Sequence, residues 1–180
     1  MERLLEESQT RLDYRDSSGW AAVHIASWTG SPGCVSALTS HPDTDWNLQT
    51  EWGGCPLYLA LLRGHKDVVE LLSGIPGLDY DLTTDTEVTL AEVAVRHGGP
   101  DCVRHLVKLE TFRCWNVEDR QGDTPLLWAL KNDQLETVKL LLACPRVDHT
   151  VKDSSGATFM KIARSSLVID ALSLASNRKF

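Results

Sequence analysis

The chain has 180 residues, 42% of them apolar and 24% charged, with a net charge of −7. That length suits one domain or a short array of repeats. The acidic balance argues against a nucleic-acid footprint, no apolar run approaches the ~20 residues of a membrane span, and the opening MERLLEESQT lacks the basic-then-apolar layout of a signal peptide.

Taken in chain order, the sequence repeats itself. Residues 1–15 read as half a unit, with Leu4 in a closing-leucine column. Four full units follow at 16–49, 50–83, 84–118 and 119–152, and a partial unit occupies 153–180. The two end pieces read as polar caps on a single domain, 1–180. The register is set by the alanines Ala26, Ala60, Ala94, Ala129 and Ala163, which recur every 34 residues with one step of 35 between Ala94 and Ala129. Val35, Val69, Val103 and Val138 lie three residues before Leu38, Leu72, Leu106 and Leu141, a spacing that gives a second helix one apolar stripe.

Other columns punctuate each unit. Gly19, Gly53, Gly122 and Gly156 fall where a tight hairpin tip needs a positive φ. Thr124-Pro125 is a helix start, the Thr oxygen capping free N–H groups and the Pro suiting the first turn. Gly30, Gly64 and Gly98, four residues past the alanine, are placed to end the first helix in a left-handed cap. Each unit therefore reads as turn, short helix, turn, second helix and extended loop.

The motif resembles the ankyrin repeat. The residues that carry the resemblance are Gly122, Thr124, Pro125, Leu126, Ala129, Glu136, Val138, Leu140 and Leu141 in the fourth unit. In the second unit they are Gly53, Pro56, Leu57, Ala60, Gly64, His65, Asp67, Val68, Val69, Leu71, Leu72 and Asp79. The resemblance implies an all-α solenoid of stacked helix-turn-helix units with hairpin loops. It also implies a concave face, made by the hairpin tips and the outward side of the first helices, that binds a protein. One such unit cannot bury its apolar face alone, so the stack should fold as a whole.

The third unit departs most from the pattern and is expected to be the least regular. Glu87 stands in the tip-glycine column, Leu90 in the Pro column and Glu92 in the His column, and the following loop is one residue longer. Either the hairpin changes type or it bears a strain on the order of 1 kcal/mol. The first unit has Ala21-Ala22 in place of Thr-Pro but keeps His24 in the His column, where a structural turn role is expected. Trp46, Tyr80, Trp115 and His149 form an aromatic column expected to stack along the array. Asn47 and Asn116 occupy a loop position that is hydroxylated in many ankyrin proteins; here a structural role is expected.

Register exposes the candidate contact residues. The tip and first-helix columns, polar or small in a consensus unit, here hold Trp20, Trp28, Glu51, Trp52, Arg63, Asp85, Glu87, Arg96, Arg120, Asp123 and Lys131. Exposed tryptophans are common interface anchors. Trp20 and Trp28 read equally as mutual packing, whereas Trp52 at a tip reads as a contact. The expected partner is a protein segment with an apolar anchor and basic residues that pair with Glu51 and Asp85; nucleic acid and membrane are not expected, and the chain is expected to be a monomer.

The five cysteines are odd in number and widely spaced, which reads as reduced thiols in a cytoplasmic or nuclear protein. No phosphate loop, nucleophile elbow or zinc-hydrolase motif is present, so no catalysis, cofactor or metal is expected. Cys102 and His105 have ligand spacing but no second pair, and Cys102 falls beside the valine column. Cys55, in a helix N-cap slot, is the cysteine expected to be most reactive. The alternatives left open are a structural or self-associating spacer, an adaptor part of a larger complex, and a thiol- or metal-dependent regulator.

Overall fold

The computed structural model describes residues 14–152 and 155–162; the expected caps lie mostly outside them, and Leu4 and Ala163 with them. Helices come in pairs: α1 (Ala22–Trp28) with α2 (Pro32–Thr39), α3 (Pro56–Leu62) with α4 (Lys66–Ser73), α5 (Leu90–Val93) with α6 (Gly99–Leu106), and α7 (Pro125–Lys131) with α8 (Leu135–Ala143). Among the described residues one further helix, α9 (Phe159–Ile162), opens the last unit. First helices pack on first helices and second on second from one unit to the next, so the chain is an all-α solenoid.

The first helices start where short caps catch free N–H groups. Cys55 Sγ accepts from Tyr58 N–H at 3.4 Å, Thr89 Oγ1 from Glu92 N–H at 3.2 Å and Thr124 Oγ1 from Leu127 N–H at 3.4 Å. In α1, where Ala21 has no capping oxygen, His24 supplies the missing fastening. Its Nδ1 accepts from Ala21 N–H at 3.0 Å, which leaves the ring proton on Nε2 to donate to Leu48 O at 2.9 Å. His24 is fully buried, and burial pushes its pKa down.

The core is one continuous cluster. Leu57, Ala60 and Leu61 of α3, Leu90, Ala91 and Ala94 of the third unit, and Leu126, Ala129 and Leu130 of α7 meet Val68, Val69 and Leu72 of α4, Val103 and Leu106 of α6, and Val138 and Leu141 of α8. The alanine column is fully buried at Ala60, Ala94 and Ala129, which lets successive first helices approach closely.

The third unit carries the irregularity in two places. Ala94–Gly98 forms a π-helical turn that prolongs the first helix. The left-handed residue is consequently Gly99, at φ +74°, while Gly98 keeps a helical φ of −69°. The expectation for Gly98 is thus corrected: the wider turn moves the positive φ one residue on. Gly30 and Gly64 do adopt it, at +65° and +68°, and Asp133 takes it in the fourth unit at +55°. The longer loop after α6 buries Phe112 completely, with its ring 5.5 Å from Tyr80 and 4.7 Å from Trp115. Tyr80 and Trp115 of the aromatic column are therefore linked through Phe112.

Loops are cross-tied by side-chain amides. Asn47 donates to Gly77 O at 2.8 Å and accepts from Asp79 N–H at 2.9 Å. Asn116 donates to Arg146 O at 2.9 Å and accepts from Asp148 N–H at 2.8 Å. Each amide binds one unit's loop to the next.

Candidate partner-binding face

The hairpin tips share one construction. Tip residues 16–20, 50–54, 84–88 and 119–123 each close with a backbone bond, from Asp16 N–H to Trp20 O, Thr50 N–H to Gly54 O, Thr84 N–H to Val88 O and Asp119 N–H to Asp123 O. A side-chain oxygen at the first position also accepts from the backbone: Asp16, Thr50, Thr84 and Asp119 all do so. Glu87 sits at φ +64° and donates to Thr84 O at 2.8 Å, as Gly53 donates to Thr50 O at 3.0 Å. The third hairpin thus keeps the glycine geometry and bears the strain.

In the first two units the face is aromatic. Trp20 and Trp28 pack edge to face at 5.7 Å, and Arg63 lies over the Trp28 ring at 4.7 Å. Both indoles are half-buried. The Trp52 indole crosses Gly54, where a Cβ would lie 2.3 Å from the ring, and meets Tyr58 edge to face at 5.5 Å. Trp52 remains 36% exposed, and Glu51, Arg63 and Asp85 are exposed around it. Ile25 of α1 is 53% exposed.

In the third and fourth units the face is ionic. Arg96 reaches Glu92 Oε1 at 2.8 Å and Asp119 Oδ2 at 2.5 Å, with its guanidinium 5.4 Å from the Trp128 ring centre. Burial raises the pKa of Glu92 against the pull of Arg96. Lys131 Nζ bonds Asp123 Oδ1 at 2.5 Å and Oδ2 at 2.6 Å. Of the predicted contact residues, Arg96, Asp123 and Lys131 are therefore engaged within the chain, whereas Glu87 and Arg120 stand exposed at the tips. Tyr58, Trp128, Glu92 and Asp119 also belong to the face. Sequence reasoning passed over them because their columns are core or turn positions in the repeat.

The cysteines behave as packing residues. Cys55 is 3% exposed, and burial pushes its thiol up to about 11, so the expected reactivity is overturned: desolvation outweighs the helix N-terminus. Cys102 is fully buried and pushed up to about 11 by the same cause, whereas Cys34 is exposed. Among the described residues no group of three or more His, Cys, Asp or Glu side chains could hold a metal ion.

Comparison with known proteins agrees with this geometry. A family model of ankyrin repeats in three copies matches residues 1–84 and again 57–153. The chain belongs to the ankyrin-repeat family. Ankyrin repeats are typically non-catalytic and generally mediate protein–protein interaction. The ankyrin repeat domain of Bcl-3 superposes with a TM-score of 0.81 at 26% identity, over 95% of this chain and 75% of that one. The target of rapamycin complex 2 subunit AVO2 of Saccharomyces cerevisiae is 26% identical over 169 residues, 92% of this ankyrin chain and 39% of that protein. Ankyrin repeat and SOCS box protein 3 of Bos taurus is 30% identical over 91 residues, 49% of this chain and 17% of that protein. E3 ubiquitin-protein ligase KEG of Arabidopsis thaliana is 28% identical over 116 residues, 64% of this chain and 7% of that protein. The chain thus spans well under two thirds of these curated relatives.

Proposed function

We propose that this chain recognises a segment of another protein on its concave face, with Trp52 as the apolar anchor and Glu51 and Asp85 as partners for Lys or Arg. The observation that carries the reading is the second tip. A tryptophan held rigidly by Gly54 and Tyr58 stays open to solvent there, between two exposed carboxylates. A large ring fixed in advance loses little entropy on contact, which suits an anchor. Exposed acids beside it would steer a basic segment and fix its register.

The relatives carry matching repeats as a minor part of longer proteins, which supports reading this chain as the recognition part of a larger assembly. The net charge of −7 favours a protein over nucleic acid as partner, and the odd, widely spaced cysteines favour a cytoplasmic or nuclear place of action. Affinity capture from lysate, with Trp52→Ala and the double change Glu51→Lys/Asp85→Lys as controls, tests the reading. Both variants should lose captured protein while circular dichroism stays unchanged. Undiminished capture by both would remove it.

A further inference from the structure

Backbone hydrogen bonds join the first three hairpin tips. Glu51 N–H donates to Ser18 O at 3.3 Å, and Asp85 N–H to Trp52 O at 3.1 Å. The pair in register at the third junction, Arg120 N–H and Thr86 O, makes no such bond among the described residues. The cause is steric. A Cβ on Gly19 would lie 2.8 Å from Glu51 N, and one on Gly53 would lie 2.7 Å from Thr84 Cα. Those tips close up only because the residue has no side chain. The third tip carries Glu87 in this position, at the same positive φ, so a Cβ occupies the space that the glycines leave to the neighbouring tip. A cleft of about 270 Å³ opens between them, lined by Thr86, Glu87, Glu92, Arg96, Glu118 and Arg120 among others.

We propose that this cleft, wedged open by Glu87, is a subsite for one lysine or arginine side chain of the bound segment. The inference rests on the concave-face reading above and extends it. Four carboxylates line the cleft (Glu87, Glu92, Glu118 and Asp119) against the two guanidiniums of Arg96 and Arg120. Arg96 is already held by Glu92 and Asp119, and the exposed acids Glu87 and Glu118 outnumber the exposed Arg120, so the cleft stays net negative toward an incoming cation. The freed Thr86 carbonyl and Arg120 amide can meet the segment's own backbone. Packed helices lie roughly 8–10 Å apart, so the second tip and the third junction are separated by about 12–15 Å. An extended chain covers that in about four residues. The preferred segment therefore has an apolar residue against Trp52 and a basic residue about four positions away.

The test is a random dodecapeptide phage library panned on the full chain, with the best peptide synthesised and followed by fluorescence anisotropy. Selected peptides should pair an apolar with a basic residue at that spacing. Replacing the basic residue by Ala should cost about tenfold in Kd on the wild type. Glu87→Gly, which lets the tips close, should cost the same and make the peptide's basic residue irrelevant. Glu87→Ala keeps the wedge but removes one of the two exposed carboxylates, so it should weaken binding less than Glu87→Gly does. A library that yields no binder, acidic peptides in place of basic ones, or a peptide unaffected by Glu87→Gly would overturn the subsite. Loss with Trp52→Ala but not with Glu87→Gly removes the subsite and keeps the anchor; the converse removes the anchor and keeps the subsite.

Discussion

Between the first and second hairpin tips a backbone hydrogen bond closes the junction, whereas the third and fourth units are bridged by an arginine beside an open cleft. The first arrangement needs only a glycine and works with any neighbouring side chains. It is reinforced at the other end of α1, where the His65 ring fills the space above Gly30 and its Nε2 lies 2.9 Å from Trp28 O. The second arrangement needs named side chains on both units, Arg96 on one and Asp119 on the other. The same stacking is thus reached by a generic device in one half and a specific one in the other. The specific half gives up tip contact and gains an open, charged cleft.

The largest effect expected from this contrast is at Gly53. Gly53→Ala adds a Cβ against the backbone of the third tip and forces alanine to φ +85°. A loss of about 3 kcal/mol is expected by urea denaturation. Glu87→Gly, the equivalent position one unit on, should instead gain about 1 kcal/mol by relieving the left-handed strain. Opposite signs at two register-matched positions would show that tip approach, not turn type, separates the halves. If both changes destabilise, the wedge account fails.

A change at Arg96 probes the other device. Arg96→Ala leaves Asp119, whose side chain is 5% exposed, and Glu92 without their cation. The expected loss is about 2–3 kcal/mol, somewhat below that of a fully buried pair. Lys66→Ala, which removes an exposed pair with Glu70, should cost less than about 0.5 kcal/mol. Similar losses from the two would mean that the ionic junction carries no special weight.

A last effect is a slope with pH. Burial lowers the pKa of His24 and His105 from the ordinary value of 6.5. The unfolded chain therefore takes up protons first on acidification. The stability held by the neutral rings is present above about pH 6.5 and is lost as pH falls below it, by at most about 1.4 kcal/mol per pH unit for each ring. Denaturation series on the wild type and His24→Gln should show a shallower slope in the variant. Parallel slopes would show that His24 is not protonated on unfolding.

Much of this was legible in the sequence because repeats are self-checking. The alanine and valine columns announced the core, and Glu87 announced that the third tip was unusual. Less legible were features made by pairs far apart in the chain. Nothing in the spacing of Arg96 and Asp119 marks them as partners, since Asp119 stands in a tip column that is polar in every unit and Arg96 in a column that also holds Trp28 and Leu62. The π-helical turn at Ala94–Gly98 was hidden by the Gly98-Gly99 doublet, either of which satisfies the cap pattern. Cys55 shows a different limit. Its place at a helix start was readable, but its burial, which decides its chemistry, was not.

Amide hydrogen exchange resolved by residue tests the wedge most directly. The tip amides of Glu51 and Asp85 donate across their junctions and should exchange slowly, while that of Arg120 should exchange at least about tenfold faster in the wild type and become protected in Glu87→Gly. Equal protection of all three amides in the wild type, or no change at Arg120 in the variant, would contradict the claim that one side chain at position 87 opens the third junction.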